Sequence, residues 1–516
     1  MTLREGTSRD LLVESDRGAV RGIRRRGVRS WRGIPYGADT GGVHRFRAPS
    51  PAPGWDGVRD ATEFGPVAPQ NRRGQFIGAH PRLPRSEDCL SLNVIAPDEP
   101  VTGRPVMLFI HGGAYSVGSS GEYPRQGERL VRTHGVLYVS LNYRLGALGW
   151  LDFRSYASPR HPFESNLGLR DQVLALEWVR RNIRAFGGDP DNVTLFGESS
   201  GANSVTTLLA VPAADGLFHR AIAQSSPANA VYPPDVAARW AGEYVRALSR
   251  IVDDDDLDSE SPDDAALMLR TADPTVLAEA TTALSVRTPD ENPGTISLAP
   301  VIDGDFLPQR PLDALRDGHA HSVPLIIGTN DREGSLFEGR IGILPTTKPR
   351  IRAVFANTRK KARKEIRRQY PGLPERRPAA DFGGDFTFWF PSVKVGERHS
   401  RHAPVYFYRF DAAPRAARLI GLDATHGLEL FALFEKFDTL TGAALTLLGG
   451  RRMYREVGRR MQRHWVSFAA SGRPGPEWPP YDEARRLTLV FDRVDRVVAD
   501  PRRKKRLAWQ EFVPHV

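Results

Sequence analysis

Short apolar runs recur along this chain, and each is bounded by glycine, proline or asparagine. They cover residues 106–110, 136–141, 193–196, 323–327 and 405–410. Runs of this length, rich in branched and aromatic side chains, are typical of buried strands in a parallel or mixed sheet. The pattern therefore predicts a sheet that is covered on both faces.

A longer amphipathic stretch separates the second and third runs. Its apolar side chains recur at steps of three and four, at Leu169, Val173, Leu176, Val179, Ile183 and Phe186. This spacing predicts a helix with one apolar face, which Gly187, Gly188 and Pro190 would end. Alternating strands and helices predict an α/β sheet with helices on its faces.

Two further stretches have helical patterns and few strand signals. Residues 233–293 are acidic, with a predicted loop at 253–256, and residues 340–391 contain the basic cluster 359–368. No linker rich in proline, glycine and serine divides the chain. We therefore predict one domain over residues 1–516, with helical insertions at about 233–293 and 340–391.

The net positive charge does not change the predicted fold and does not indicate a nucleic-acid-binding function. The 516 residues include 72 Lys and Arg against 61 Asp and Glu, for a net charge of +11. The basic residues are scattered, and the cluster at 359–368 has no interleaved aromatics on which bases could stack. It predicts a solvated helix face, with a weak anionic contact as the alternative, and we expect no nucleic-acid partner.

Cysteine content and hydropathy bear on the compartment. Cys89 is the single cysteine, so the chain has no intrachain disulfide and no zinc or redox site of paired cysteines. The first ten residues lack the apolar segment of a signal peptide, and no run approaches the roughly 20 apolar residues that span a membrane. We expect a cytoplasmic protein without a membrane span.

The strongest chemical motif is Gly-Glu-Ser-Ser-Gly at 197–201, directly after the third run. A G-x-S-x-G sequence between a strand and a helix predicts a sharp turn that exposes the hydroxyl of its middle residue, Ser199. Ser200 is the competing serine, and a structural turn is the alternative. The dipole of a following helix would favour the negative charge that develops in acyl transfer.

The sequence His-Gly-Gly-Ala-Tyr at 111–115 follows the first run. Small residues there leave backbone N–H groups free to face a substrate oxygen, as in the HGGG-type oxyanion loops of hydrolases. We predict an oxyanion hole from the amides of Gly113, Ala114 and Ser200. A plain glycine turn is the alternative, and His111 is interpreted as a structural residue.

A serine nucleophile needs a base and an acid, which follow it in the order acid then histidine in this type of hydrolase. His426 lies between a short loop and Gly427, ahead of an apolar segment, and is the candidate base. The loop 328–334 offers Asp331 and Glu333, and its position alone leaves both open as the acid.

Taken together, these motifs resemble the type B carboxylesterase family, which includes cholinesterases and bacterial para-nitrobenzyl esterases. Further landmarks in the same order lie at 31–36 (WRGIPY), 45–49 (RFRAP), 86–90 (SEDCL), 142–146 (NYRLG), 186–190 (FGGDP), 223–225 (AQS), 300–304 (PVIDG), 465–469 (WVSFA) and 478–479 (WP). The resemblance spans residues 10–495. It implies an α/β-hydrolase fold, with a large, mostly parallel sheet flanked by helices and with helical insertions that form the active-site gorge.

The resemblance also implies roles for individual residues. Ser199 would be the nucleophile, Glu333 the triad acid and His426 the base. Arg45 would pair with Glu87 in a structural role. Glu198, next to the nucleophile, would tune the local field without reacting.

Two departures limit the resemblance. Ala68 stands where secreted relatives have the disulfide partner of Cys89, so we expect Cys89 to be unpaired. No tryptophan occurs between Trp55 and Trp150, so the aromatic platform that cholinesterases use for choline is unsupported.

The expected activity is that of a carboxylesterase acting on a small-molecule ester by two-step acyl transfer, without a metal or an organic cofactor. The alternatives are a catalytically silent, neuroligin-like binding module and a hydrolase that prefers carbamates, amides or lactones. The sequence does not indicate an oligomeric state.

Overall fold

A computed structural model describes residues 9–71, 78–252 and 261–513, so the predicted loop at 253–256 lies outside the described residues. The strands are β1 (Leu12–Ser15), β2 (Gly18–Arg21), β3 (Ile23–Arg25), β4 (Val28–Pro35), β5 (Val58–Asp60), β6 (Ser91–Pro97), β7 (Arg104–Ile110), β8 (Leu137–Leu141), β9 (Gly188–Glu198), β10 (Arg220–Gln224), β11 (Leu325–Asn330), β12 (Val405–Phe410), β13 (Leu487–Phe491) and β14 (Arg496–Ala499).

The helices lie between and beyond these strands. They are α1 (Glu128–His134), α2 (Ala147–Trp150), α3 (Leu167–Asn182), α4 (Ser200–Leu208), α5 (Pro234–Ile251), α6 (Pro262–Thr271), α7 (Pro274–Glu291), α8 (Pro311–Asp317), α9 (Lys348–Val354), α10 (Lys360–Arg368), α11 (Arg376–Gly384), α12 (Phe390–His399), α13 (Arg415–Leu419), α14 (Leu428–Leu433), α15 (Leu440–Leu445), α16 (Arg451–Ser471) and α17 (Arg503–Trp509).

The central sheet has eleven strands in the order β14-β13-β12-β11-β10-β9-β7-β8-β6-β4-β3. Strands β13 through β8 in this order pair in parallel, while β14 at one edge and β6, β4 and β3 at the other pair antiparallel. Strands β1, β2 and β5 form a separate small sheet. The prediction of a large, mostly parallel sheet is confirmed.

The five predicted strands are all present. Runs 106–110 and 193–196 lie within β7 and β9, run 136–141 becomes β8, and run 405–410 is β12. Run 323–327 is displaced, because β11 begins at Leu325 and continues to Asn330. Strand β4 was missed, since Arg29 and Arg32 interrupt its apolar pattern although both side chains are buried.

The predicted helix is α3, and residues 183–186 continue it as a 3₁₀ turn. Gly187 ends the turn with a φ of 98°, a left-handed conformation that favours glycine. Pro190 does not end the helix, as it already lies within β9.

Hydrophobic cores cover the two faces of the sheet. On one face Trp178 of α3 and Trp240 of α5 are buried, and on the other Trp465 of α16 and Leu428 of α14 are buried. The sheet is therefore the middle layer of three, as expected for a parallel sheet covered by helices.

Both stretches predicted as insertions contain helices. Helices α5, α6 and α7 occupy most of residues 234–291, while α9, α10, α11, a π turn at 385–389 and α12 occupy most of residues 348–399. The basic helix α10 buries Ala362 and Ile366 and exposes most of its Lys and Arg side chains, as predicted for a solvated face. The assignment of residues 1–516 to one domain stays a prediction.

Candidate active site

Ser199 lies in a sharp turn between β9 and α4. Its φ of 59° and ψ of −125° are unusual for a residue with a side chain. The turn needs glycine on both sides: a Cβ on Gly197 would lie 2.6 Å from the backbone of Gly201, and a Cβ on Gly201 would overlap the carbonyl oxygen of Ile110. Both glycines are therefore required for this close approach.

The hydroxyl of Ser199 faces an imidazole. Ser199 Oγ lies 2.9 Å from His426 Nε2, and His426 Nδ1 lies 2.7 Å from Glu333 Oε2. The rings of Phe337 and Phe388 contact the imidazole, with Phe388 stacked 4.3 Å away between ring centroids. The structure thus brings the three predicted triad residues into one chain of hydrogen bonds.

The two candidate acids, Glu333 and Asp331, have different partners in the structure. Glu333 contacts the imidazole, whereas Asp331 pairs with Arg502 at 2.9 Å. The loop after β11 therefore directs one carboxylate into the site and the other to an ion pair with a distant part of the chain.

Two residues that the chemical argument missed hold Glu333 in place. Ser225 Oγ donates a hydrogen bond to Glu333 Oε1 at 2.6 Å, and the backbone N–H of Asn330 donates to the same oxygen at 2.6 Å. Both residues lie at the carboxyl ends of neighbouring parallel strands, β10 and β11. Their position directly after or at the end of these strands is the signal that could have found them.

Two more buried carboxyl groups lie beside the triad. Glu198 Oε1 lies 3.3 Å from His426 Nε2. The carboxyl of Glu429 accepts hydrogen bonds from Asn330 Nδ2 and from Gln224 Nε2. Sequence reasoning missed Glu429, which lies three residues after His426 at the start of α14.

Burial and neighbouring charges shift the pKa values of Glu198, His426 and Glu429 by different balances of causes. Burial, aided by Glu429 and Glu333, raises the pKa of Glu198 to about 8 in spite of the nearby imidazole. Burial acts to lower the pKa of His426, but the Glu198 and Glu333 carboxylates outweigh it and raise that pKa to about 9. Burial and the charge of Glu333 also raise the pKa of Glu429.

The loop after β7 approaches Ser199 from the other side. Gly113 and Ala114 have φ values of 119° and 52°, and in the described residues neither amide donates to an acceptor. The N–H of Ser200 opens α4, where a helix leaves its first amides unpaired. Tyr115 anchors the loop through its N–H to Ser200 Oγ, at 3.3 Å.

His111 is not in contact with the triad. Its ring stacks on Tyr143 at 4.5 Å, and its Nδ1 lies 2.9 Å from the carbonyl oxygen of Gly112. Burial lowers the pKa of His111 to about 4, so the ring is neutral. This agrees with a structural role in the turn.

A cavity of about 1000 Å³ opens over the serine. Its lining includes Ser199, His426 and the loop residues Gly113 and Ala114. Helix α7 and residues 336–343 supply wall residues, as do Phe388 and the segment around α15; the wall includes Leu277, Thr281, Ile341, Ile343, Thr441 and Leu445. Both helical insertions therefore contribute to the gorge.

The remaining predictions concern the Arg45–Glu87 pair, the state of Cys89, metal binding and membrane-spanning helices. Arg45 binds Glu87 through two hydrogen bonds of 2.7 and 2.6 Å, so the predicted pair is present. Cys89 is buried and free. In the parts of the chain that the structure describes, no cluster of His, Cys, Asp and Glu is arranged to hold a metal ion, and no helix is both long and apolar enough to cross a bilayer.

The sheet order, the serine at the β9–α4 turn and the loop after β7 define an α/β-hydrolase fold. The sequence profile of the carboxylesterase family matches residues 9–509. The chain belongs to that family and is a carboxylic ester hydrolase.

Individual relatives cover nearly the whole chain. Para-nitrobenzyl esterase of Bacillus subtilis (strain 168) is 36% identical over 499 residues, which are 96% of this chain and 97% of that protein. Cocaine esterase of Homo sapiens is 32% identical, with 89% of this chain and 82% of that protein aligned.

Solved structures agree with these relatives. A thermophilic PNB esterase superposes with a TM-score of 0.84 at 35% identity, covering 97% of this chain and 99% of that one. A carboxylesterase of Geobacillus stearothermophilus gives a TM-score of 0.82 at 33% identity, covering 97% and 100%.

Proposed function

We propose that the chain cleaves carboxylic esters through an acyl-enzyme formed on Ser199. The observation that carries this proposal is the line of contacts from Ser199 Oγ through His426 to Glu333. A serine hydroxyl is too weak an acid to attack unaided, and this geometry supplies a base within hydrogen-bond distance.

In the first half-reaction, neutral His426 accepts the proton of Ser199 Oγ as that oxygen attacks the ester carbonyl carbon. The carbonyl oxygen becomes an oxyanion, which accepts hydrogen bonds from the amides of Gly113, Ala114 and Ser200. The imidazolium then gives its proton to the departing alkoxide. The alcohol leaves, and the acyl group remains bonded to Ser199.

In the second half-reaction, a water molecule takes the place of the alcohol. His426 accepts a proton from this water, and the resulting hydroxide attacks the acyl carbon through a second oxyanion. Collapse breaks the bond to Ser199 Oγ, which recovers its proton from His426. Glu333 accepts the hydrogen bond of His426 Nδ1–H and holds the imidazole in the orientation that both steps need.

The substrate is proposed to be a small neutral ester. The cavity of about 1000 Å³ is large enough for aryl and alkyl esters, and its lining is mainly apolar. The name of the Bacillus subtilis relative, para-nitrobenzyl esterase, makes aromatic esters a reasonable first choice. No metal or organic cofactor takes part in the proposed steps.

The test is to replace Ser199 by alanine and to measure p-nitrophenyl ester hydrolysis. We expect loss of nearly all activity with an unchanged melting temperature, while Ser200→Ala, which keeps its backbone amide, should retain most activity. Mass spectrometry after a fluorophosphonate probe should find the label on Ser199. Substantial hydrolysis by Ser199→Ala, or labelling of another residue, would refute the assignment.

A panel of substrates decides the class of bond. Esters of different acyl lengths, carbamates, amides and lactones would be compared by kcat/KM, and we expect simple esters to rank first.

The relatives named above carry enzyme names and offer no support for a silent binding module. The cytoplasmic location stays a prediction.

A further inference from the structure

A second pocket, of about 240 Å³, lies away from the serine and is lined by three arginines. They are Arg415 and Arg418 of α13 and Arg493, which follows β13. Ala413, Gly450 and Met453 complete the wall. Three like charges on one small pocket repel each other unless an anion lies between them.

Among the residues that the structure describes, no carboxylate forms an ion pair with these arginines. Within the described residues, none of these three guanidinium groups has an ion pair or a side-chain hydrogen bond. Two nearby carboxylates have partners elsewhere: Asp495 pairs with Arg460 at 2.7 Å, and Asp411 pairs with Arg409 at 2.6 Å. The described residues therefore leave this pocket cationic and open to an external anion.

Large apolar side chains are exposed beside this pocket. Among the described residues, five of the sixteen large apolar side chains that are exposed lie within the thirty positions 419–448; these are Leu419, Ile420, Leu440, Leu447 and Leu448. Leu440 is 93% exposed and Leu447 is 80% exposed. Val494, next to Arg493, is also exposed. A concentration of this kind marks an interaction surface.

The same segment forms part of the gorge wall. Helix α13 contacts α15. On α15 and its flanks, Leu440 and Leu447 point to solvent, whereas Thr441 and Leu445 line the large cavity. The exposed leucines and the opening to Ser199 therefore belong to one rim of the molecule.

We propose that this rim, residues 413–453 with Arg493 and Val494, docks on an anionic lipid surface. Lipid phosphates would fill the arginine pocket, where a planar guanidinium forms paired hydrogen bonds with phosphate oxygens. The leucines would enter the boundary between headgroups and acyl chains. Docking in this way turns the gorge toward lipid-dissolved esters.

Other occupants fit the rim less well. Nucleic acid offers phosphates but no apolar layer for the leucines. A second copy of this chain, paired about a two-fold axis, would place three arginines without counter-charges on each side of the interface. A lipid surface supplies both the negative charge and the apolar layer.

The test measures co-sedimentation of the full chain with vesicles, which does not depend on catalysis. Vesicles of phosphatidylcholine with phosphatidylglycerol are compared with pure phosphatidylcholine at about 0.1 M salt, where the screening length is about 10 Å. One variant combines Arg415→Gln, Arg418→Gln and Arg493→Gln. A matched control removes three exposed charges from α10 by Lys360→Gln, Lys361→Gln and Lys364→Gln.

We expect binding to the anionic vesicles and little to pure phosphatidylcholine. Each arginine near an anionic surface contributes about fivefold, so the triple arginine variant should bind on the order of 100-fold more weakly. The α10 control should bind within about threefold of the original chain. Its three lysines lie outside the rim, so their removal weakens only the long-range attraction between the protein and the anionic vesicle. All variants should keep their hydrolysis of a soluble p-nitrophenyl ester.

A second pair of variants tests the apolar part. Leu447→Ser with Leu448→Ser should weaken vesicle binding at least about tenfold, because each leucine loses apolar burial. Val43→Ser with Leu267→Ser, exposed positions elsewhere, should leave binding unchanged.

Several results would overturn the proposal. These are equal binding by the arginine variant and the α10 control, or equal binding to both vesicle types. A dimer in sedimentation velocity that Leu447→Ser with Leu448→Ser dissociates would assign the rim to self-association instead.

Discussion

Replacing Glu198 by glutamine removes a carboxyl group that lies 3.3 Å from His426 Nε2 and leaves the shape of the site nearly unchanged. In the proposed mechanism His426 must be neutral to accept the proton of Ser199. The acid limb of kcat/KM therefore reports the pKa of His426 in the free enzyme. Because that pKa is raised to about 9, activity should still be rising above pH 7.

The size of the effect follows from the distance. Two opposite unit charges 3.3 Å apart interact by about 5 kcal/mol at an effective dielectric constant of about 20, which corresponds to about 4 pKa units. This is an upper limit, since Glu198 has a pKa of about 8 and is uncharged over part of the range. We expect Glu198→Gln to move the acid limb down by about 1–2 units.

The assay is a kcat/KM profile for a p-nitrophenyl ester between pH 5 and 10, with spontaneous hydrolysis subtracted. Glu122→Gln, in the same cavity but without contact to His426, is the control and should leave the acid limb in place. An unchanged or upward-shifted limb in Glu198→Gln would refute the electrostatic argument.

The pH dependence of folding stability gives a second measure of the raised pKa values of Glu198 and His426. The pKa of Glu198 is raised from 4.5 to about 8, so between these values the unfolded chain releases a proton that the folded chain retains. Stability must then fall as pH rises through this window. The raised pKa of His426 acts in the same direction, from 6.5 to about 9. The melting temperature should therefore fall less steeply from pH 5 to 9 in Glu198→Gln.

Three other substitutions test separate parts of the site and its support. Ser225→Ala removes a 2.6 Å hydrogen bond to Glu333 and should lower kcat about tenfold with little change in KM, as measured by steady-state kinetics. Gly113→Ala places a Cβ against a backbone carbonyl and should lower kcat about 100-fold or more, because it displaces the proposed oxyanion loop; circular dichroism should show an intact fold. Arg45→Met leaves the Glu87 carboxylate, which is 11% exposed, without its ion-pair partner and should cost about 3 kcal/mol in urea unfolding; Arg47→Met, at a more exposed ion pair, should cost about 1 kcal/mol or less.

The sequence carried enough to predict the centre of the fold and the chain of contacts around Ser199. The strands β7, β9 and β11 are buried where they approach the site, so their apolar runs are uninterrupted there. The loops that carry Gly113, Ser199 and Glu333 follow these strands directly, whereas His426 follows α13. Strand β4 lacked this signal, because Arg29 donates to backbone carbonyls across the sheet edge while lying in a buried strand. A polar residue with buried partners looks the same in the sequence as an exposed one.

The electrostatic surroundings of the site were harder to predict. Glu429 and Gln224 are 205 positions apart and meet only because β10 ends beside the start of α14. The choice between Asp331 and Glu333 likewise depends on Arg502, which is 171 positions from Asp331. Contacts between such distant positions depend on the register of neighbouring strands, and a local pattern contains no information about that register.

The three buried glutamates beside His426 differ in how their charges are compensated. Besides its contact with His426, Glu333 accepts two hydrogen bonds, and Glu429 accepts hydrogen bonds from two side-chain amides. Glu198 Oε1, by contrast, accepts no hydrogen bond in the described residues, although it is fully enclosed. Its ionised form is therefore stabilised chiefly when His426 carries a proton, which is the state that the proposed mechanism reaches as Ser199 attacks. A carboxylate compensated chiefly in that state stabilises the transition state more than the resting enzyme, which is the condition for raising kcat.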